Sequence, residues 1–277
     1  MKMKKYLQRN WIRALMLAST VIIGTGCETV QTTQGGVVGV SRSQRMAFSE
    51  QEIEQAANKQ YVELIAQEQK KGNVNRNPAQ VNRVRTISNR LIQQVGAFRP
   101  DARNWKWEMN VLTSAEVNAW CMPGGKIAVY TGLIDKLKVT DEELAAVIGH
   151  EMAHALREHS RERASEQAFA SMGIQIISAV AGLGDLGQKG MEYAYMGLLG
   201  LPNSRAHETE ADRIGVELAA RAGYDPRAAI TLWQKMGASS NGEPPKFLST
   251  HPSREDRISD LTNYSARVMP LYQQSKR

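Results

Sequence analysis

Apolar residues recur along this chain with two different periods, and the first to appear is helical. From Ser49, the residues Ile53, Ala57, Tyr61, Leu64 and Ile65 are spaced by threes and fours up to Lys71, behind the capping box Ser49-x-x-Glu52. A second helix is expected from Asn77-Pro78, a cap followed by proline at the first helical position. It carries Val81, Val84, Ile87, Leu91 and Val95 until Gly96 stops it. The period then shortens to two. Trp105, Trp107, Met109 and Val111 alternate with Lys106, Glu108 and Asn110, the pattern of a half-buried strand, and Lys126 to Tyr130 gives another after the turn Pro123-Gly124-Gly125. Helical spacing returns at a second capping box, Thr140-x-x-Glu143, which predicts one helix from Asp141 to about Gln167. Further helices are expected at about Arg205 to Ala222, Asp225 to Met236 and Ser253 to Arg267. With only two or three short strands, the fold class is α+β and mostly helical.

Outside these periodic stretches the pattern says where the protein goes. Met1 to Arg13 is basic, Ala14 to Gly26 carries no charge, and the small residues Gly24-Thr25-Gly26 precede Cys27. This reads as a secretory signal over residues 1–26, too short for a spanning helix. A cysteine so placed resembles the bacterial lipobox, in which it is acylated and becomes the new N-terminus; that pattern usually has Leu where Gly24 stands. Glu28 after it, rather than Asp, implies an outer-membrane anchor facing the periplasm. Residues 27–48 are then the lipidated Cys27 and a flexible tether rich in Gly, Gln, Thr, Ser and Val, and 49–277 the folded domain. Ala168 to Gly184 is free of charge but interrupted by Gly173, Gly182 and Gly184, which suits a buried helix or a flap over a cleft better than a membrane span.

Charge and cysteine content narrow the class. Five of the basic residues, Lys2, Lys4, Lys5, Arg9 and Arg13, belong to the leader, so the formal +7 falls to +2 without it and no nucleic-acid partner is expected. Only Cys27 and Cys121 occur; with Cys27 lipidated no disulfide is available, and Cys121 reads as a small buried hydrophobe.

The chemistry lies in His150-Glu151-Met152-Ala153-His154, within the helix opened at Thr140. At about 100° per residue the two imidazoles fall about 40° apart on one face and one turn apart in height, so both can grip one metal ion. Glu151 is held beside them, placed to take a proton from an attacking water. A catalytic zinc wants a third protein ligand and an open position. A metzincin would need Gly at 157 and His at 160, where this chain has Arg157 and Ser160. His159, about 140° around the same helix from His154, is expected to face away as a surface or packing residue. Glu208 and Asp212, one turn apart on a later helix, offer the alternative: Glu208 ligates while Asp212 reaches the second nitrogen of a ligating histidine. Glu210 points away from that face.

These residues, with Ser204-Arg205, Asn118-Ala119, Pro123-Gly124-Gly125 and Thr131-Gly132-Leu133, resemble the HtpX-like and CAAX-prenyl-protease-like gluzincin metallopeptidases, from about Val111 to Arg257. The leader makes the chain more similar to the periplasmic outer-membrane members than to the membrane-embedded ones. The resemblance implies a zincin-like domain with a small sheet of two or three strands beside the HExxH helix. It also implies one Zn2+ held by His150, His154 and Glu208, with Glu151 as general base and Asp212 supporting the ligands. Asn118 and Ala119 would line a cleft that pairs with extended substrate. His251, in a late His-Pro segment, would stabilise the oxyanion or act as an inhibitory fourth ligand; a turn histidine capping the next helix is the plainer alternative. The function implied is zinc endopeptidase action on unfolded or misassembled envelope proteins, in protein quality control. The competing reading is a client-binding, chaperone-like lipoprotein with structural or regulatory zinc, against which the intact Glu151 argues. Zinc storage is disfavoured because no His-rich tract exists.

Overall fold

A computed structural model of the chain describes residues 28–180, 203–239, 245–252 and 256–276. The leader, Cys27 and residues 181–184 of the apolar stretch lie outside the described residues, as do side chains from 173 to 180. The first capping box forms as expected: Ser49 Oγ accepts the Glu52 N–H and the Glu52 carboxylate accepts the Ser49 N–H, opening α1 (Glu50–Lys70). Asn77 caps α2 (Pro78–Ile92), whose residues Val81, Val84, Ile87 and Leu91 enter the main core.

Two corrections concern the chain before α1 and the first strand. The expected tether is part of the domain: β1 (Glu28–Val30) pairs antiparallel with β2 (Gln44–Met46), and Val38, Val40 and Met46 are buried. The intervening loop is fastened by Gln34 N–H to Phe98 O and by Val38 N–H to the Glu217 carboxylate. Its apolar side chains fill irregular gaps, so they follow no period. Farther on, β3 (Glu108–Leu112) starts after the two tryptophans, whose rings pack on each other 5.4 Å apart, with Trp107 Nε1 donating to Ala102 O.

β3 pairs parallel with the central β5 (Lys126–Tyr130), and β4 (Ala119–Met122) pairs antiparallel with β5 on its other side, leaving β4 at the edge. The β4–β5 turn needs glycine: Gly124 and Gly125 have φ of 78° and 83°, a region that side-chain-bearing residues rarely enter. Two helices follow, α3 (Thr131–Leu137) and α4 (Asp141–Leu156), the latter opened by the Thr140 capping box.

The helix predicted to run to Gln167 is two helices. α4 ends at Leu156, Glu158 takes a left-handed conformation with φ 52°, and α5 (His159–Val180) leaves in a new direction. Charge pairing holds this break: Arg99 and Arg161 both donate to the Glu158 carboxylate, and the fully buried Arg157 donates to Glu210. Then come α6 (Arg205–Arg221), α7 (Ala228–Ala238), α8 (Lys246–Thr250) and α9 (Arg257–Ser275). α7 starts later than expected because Asp225 caps a turn at the Arg227 N–H instead of the helix. The last helix is described from Arg257 and runs past Pro270. No helix among the described residues is long and apolar enough to cross a membrane.

α4 and α6 form the centre of the molecule, crossing where two glycines meet. A Cβ on Gly215 would stand 2.9 Å from the His150 backbone N, so the helices pack backbone to backbone at the level of the histidines.

Candidate metal centre

The close crossing of α4 and α6 brings His150 and His154 against Glu208, and the chain after α8 adds His251 from the side. These four side chains are buried, and one donor atom from each lies within 4.8 Å of all the others. His150 Nε2 is 3.1 Å from His154 Nε2 and 3.2 Å from His251 Nδ1. The Glu208 carboxylate is 3.5 Å from His150 Nε2, 3.3 Å from His154 Nε2 and 3.0 Å from His251 Nδ1. Three ring nitrogens and a carboxylate oxygen thus converge on one point, which is the donor set and arrangement that suit zinc.

Asp212, one turn after Glu208, sits with Oδ1 3.0 Å from His150 Nδ1, the atom on the far side of that ring from the other donors. Arg257, which closes the resembling stretch with no role implied for it there, donates to Asp212 Oδ1 at 2.6 Å and lies 3.1 Å from Glu208 Oε2. Its guanidinium rests over the Trp233 ring, which also packs edge-on against His150. Burial alone would lower the His150 pKa, but the carboxylates of Glu208 and Asp212 outweigh it and raise it to about 9. His154 is pushed well below the usual histidine value, chiefly by burial and also by His150 beside it.

Glu151 faces the cleft. Burial raises its carboxyl above the usual range, against the lowering effects of His251, whose Nε2 is 3.3 Å away, and of the Cys121 backbone. Asn118, Ala119 and Cys121, from the edge strand and its approach, line the same cleft with Glu151, His154, Arg163, Asn203 and His251. Burial drives the Cys121 thiol well above its ordinary pKa, in keeping with its reading as a small hydrophobe.

His159 is a fully buried packing residue, but it does not face away from the site as one continuous helix would place it. Because the helix breaks at Glu158, His159 turns back: Nδ1 faces His154 Nδ1 at 2.8 Å and Nε2 faces Glu210 Oε2 at 3.1 Å. Its ring stacks on His207, 4.4 Å between centroids. All five histidines of the chain therefore belong to one contiguous cluster. Glu210 stays off the ligand face, as its helical position implies, but it is buried and ion-paired with Arg157.

Comparison with known proteins agrees with this geometry. The model of peptidase family M48 matches residues 78–265. Metalloprotease LoiP of Escherichia coli K12 is 27% identical over 253 residues, covering 90% of this chain and 95% of that protein. The mitochondrial metalloendopeptidase OMA1 of Schizosaccharomyces pombe is 41% identical over 162 residues, 57% of this chain and 47% of that one. The beta-barrel assembly-enhancing protease of Yersinia pestis is 27% identical over 199 residues, 68% and 39% of the two chains. The chain spans about half or less of the length of the mitochondrial relatives it matches.

Proposed function

The chain belongs to peptidase family M48, with its zincin-like fold, and on that premise we propose that it is a zinc endopeptidase of the bacterial envelope. In this reading it is an outer-membrane lipoprotein, acylated at Cys27 and facing the periplasm, that cleaves unfolded or misassembled envelope proteins. The observation that carries the catalytic part is the convergence of His150, His154, Glu208 and His251 with Glu151 alongside. The name of the Yersinia pestis relative refers to β-barrel assembly, which supports clients from the envelope.

His150, His154 and Glu208 would hold the metal. Zinc bound there supplies Lewis acidity toward the scissile carbonyl and the attacking water. Glu151, its carboxyl raised by burial toward the working pH, takes the proton of that water and delivers it to the leaving amine. Asp212 fixes the orientation of the His150 ring, and Arg257 balances the charge of Asp212 and Glu208. The edge strand β4 accepts an extended substrate by main-chain pairing, with Asn118 and Ala119 along the cleft. His251, a fourth donor beside the other three, would close the position that substrate needs and leave the resting site self-inhibited.

The test is Glu151→Gln. The variant keeps its zinc and loses at least about a hundredfold in hydrolysis of an unfolded model protein, the scale of losing a general base. Full activity in that variant overturns the proposal.

A further inference from the structure

The hydrogen-bonded chain behind His154 does not end within the helices that carry the metal centre. His159, which faces the outer nitrogen of His154, is held at its own far nitrogen by Glu210. As an acceptor-only carboxylate, Glu210 takes the His159 Nε2–H; His159 Nδ1 is then an acceptor, and His154 presents Nδ1–H to it and a lone pair at Nε2 to the metal. Two guanidiniums hold Glu210: Arg157 Nε at 2.9 Å and Arg42 Nε at 2.6 Å.

Arg42 comes from the loop between β1 and β2, more than a hundred residues away in sequence. Its two terminal nitrogens donate to both oxygens of Glu162, at 2.5 and 2.9 Å. Glu162 also accepts from Gln44 Nε2 at 2.6 Å and faces His207 Nε2 at 3.1 Å, and the His207 ring is the one stacked on His159. Arg42 thus joins the two carboxylates that fix His159, one at its edge and the other through the ring on its face. The segment is locked in return, since Arg157 Nη2 donates to Arg42 O at 2.9 Å.

We propose that Arg42 is a positioning residue for the metal ligand His154, so that the metal centre is complete only when the N-terminal segment is docked. The inference rests on the zinc reading above. A ligating histidine owes its tautomer and ring direction to the partner on its other nitrogen. Without Arg42, Glu210 loses one of its two guanidiniums and Glu162 loses its bidentate partner.

The experiment measures zinc affinity by chelator competition and records the visible absorption of the cobalt-loaded protein, for wild type, Arg42→Ala, Arg42→Lys and Glu217→Ala. Glu217 is the control: it ties the same loop through the Val38 N–H, and its side-chain partner Arg221 lies at the far end of the helix from the metal centre. Arg42→Ala is expected to weaken zinc binding by about 10- to 100-fold and to shift the cobalt spectrum. Arg42→Lys, a point charge unable to fork across both carboxylates, falls between it and wild type, and carries the comparison should the alanine variant not fold. Glu217→Ala lowers the unfolding temperature while leaving affinity and spectrum unchanged. The inference is overturned if both Arg42 variants bind zinc within about twofold of wild type, or if Glu217→Ala weakens binding equally. A wild-type protein that fails to bind zinc overturns the metallopeptidase reading itself and this inference with it.

Discussion

His251 lies flat against Phe247, 4.2 Å between ring centroids and 17° between planes, with Nδ1 turned to Glu208 and Nε2 to Glu151. One side chain therefore touches both a proposed ligand and the proposed base. A group that only stabilised an oxyanion would need neither contact at rest, and Nδ1 stands among the donor atoms themselves. His251→Ala is accordingly expected to raise basal hydrolysis of short peptides, by about tenfold, while zinc binds somewhat more weakly. Steady-state rates with metal content measured on the same samples check this. A fall of about ten- to a thousandfold at unchanged zinc content would instead assign His251 to the oxyanion.

At the scale of elements, the site depends on how closely α4 and α6 approach. The atoms that a Gly215 side chain would strike, the His150 N at 2.9 Å and Cα at 3.0 Å, are backbone and cannot rotate aside. Gly215→Ala should therefore cost about 1–3 kcal/mol of stability, and by spreading the helices it should separate Glu208 from the two histidines and weaken zinc binding. Gly237 in α7 has nothing within 4 Å of its would-be Cβ. Gly237→Ala should stabilise by up to about 1 kcal/mol through helix propensity, with zinc affinity untouched. Thermal unfolding and chelator competition on this pair give opposite signs if the crossing matters. The clustering of His150, His154 and Glu208 was legible in the sequence because spacings of four residues within one helix fix which side chains share a face. His159 was misread because the break at Glu158 has no glycine or proline to announce it; the ion pairs that make it come from Arg99, Arg161 and the distant N-terminal segment. The role of Arg257, at the end of the resembling stretch, escaped notice for a similar reason, since its meaning lies in Asp212 and Glu208 on another helix.

For the molecule as a whole, the docked N-terminal segment makes stability depend on acid. Burial would raise the Glu162 carboxyl, but hydrogen bonds from Arg42, His207 and Gln44 outweigh it and hold the pKa well below the usual 4.5. A carboxyl lowered on folding contributes its stabilisation in full above that unfolded value, and the contribution is lost as pH falls from there toward the folded one. Wild type should lose stability faster than Glu162→Gln as pH drops below about 4.5, and the variant should be the less stable of the two at neutral pH. Denaturant unfolding of both proteins across this range measures it; parallel curves would mean that Glu162 is not held in this way. The docking also bears on the proposed lipid anchor. A free tether of about twenty residues would wander some 25 Å, whereas β1 begins at Glu28, immediately after Cys27.

The tryptophan beneath the site gives it an optical signal. Trp233 touches the His150 ring, with centroids 5.9 Å apart, and the carboxylates of Glu208 and Asp212 favour the protonated, charged form of that ring. A charged imidazole quenches a neighbouring indole by accepting an electron from its excited state, and a metal ion on His150 takes the place of that proton. Zinc titration should therefore brighten the intrinsic fluorescence, and Trp233→Phe should abolish the rise. If the rise persisted in that variant, Trp233 would not be its source. With the expected result, the protein reports its own metal occupancy in ultraviolet light, with no label and no substrate.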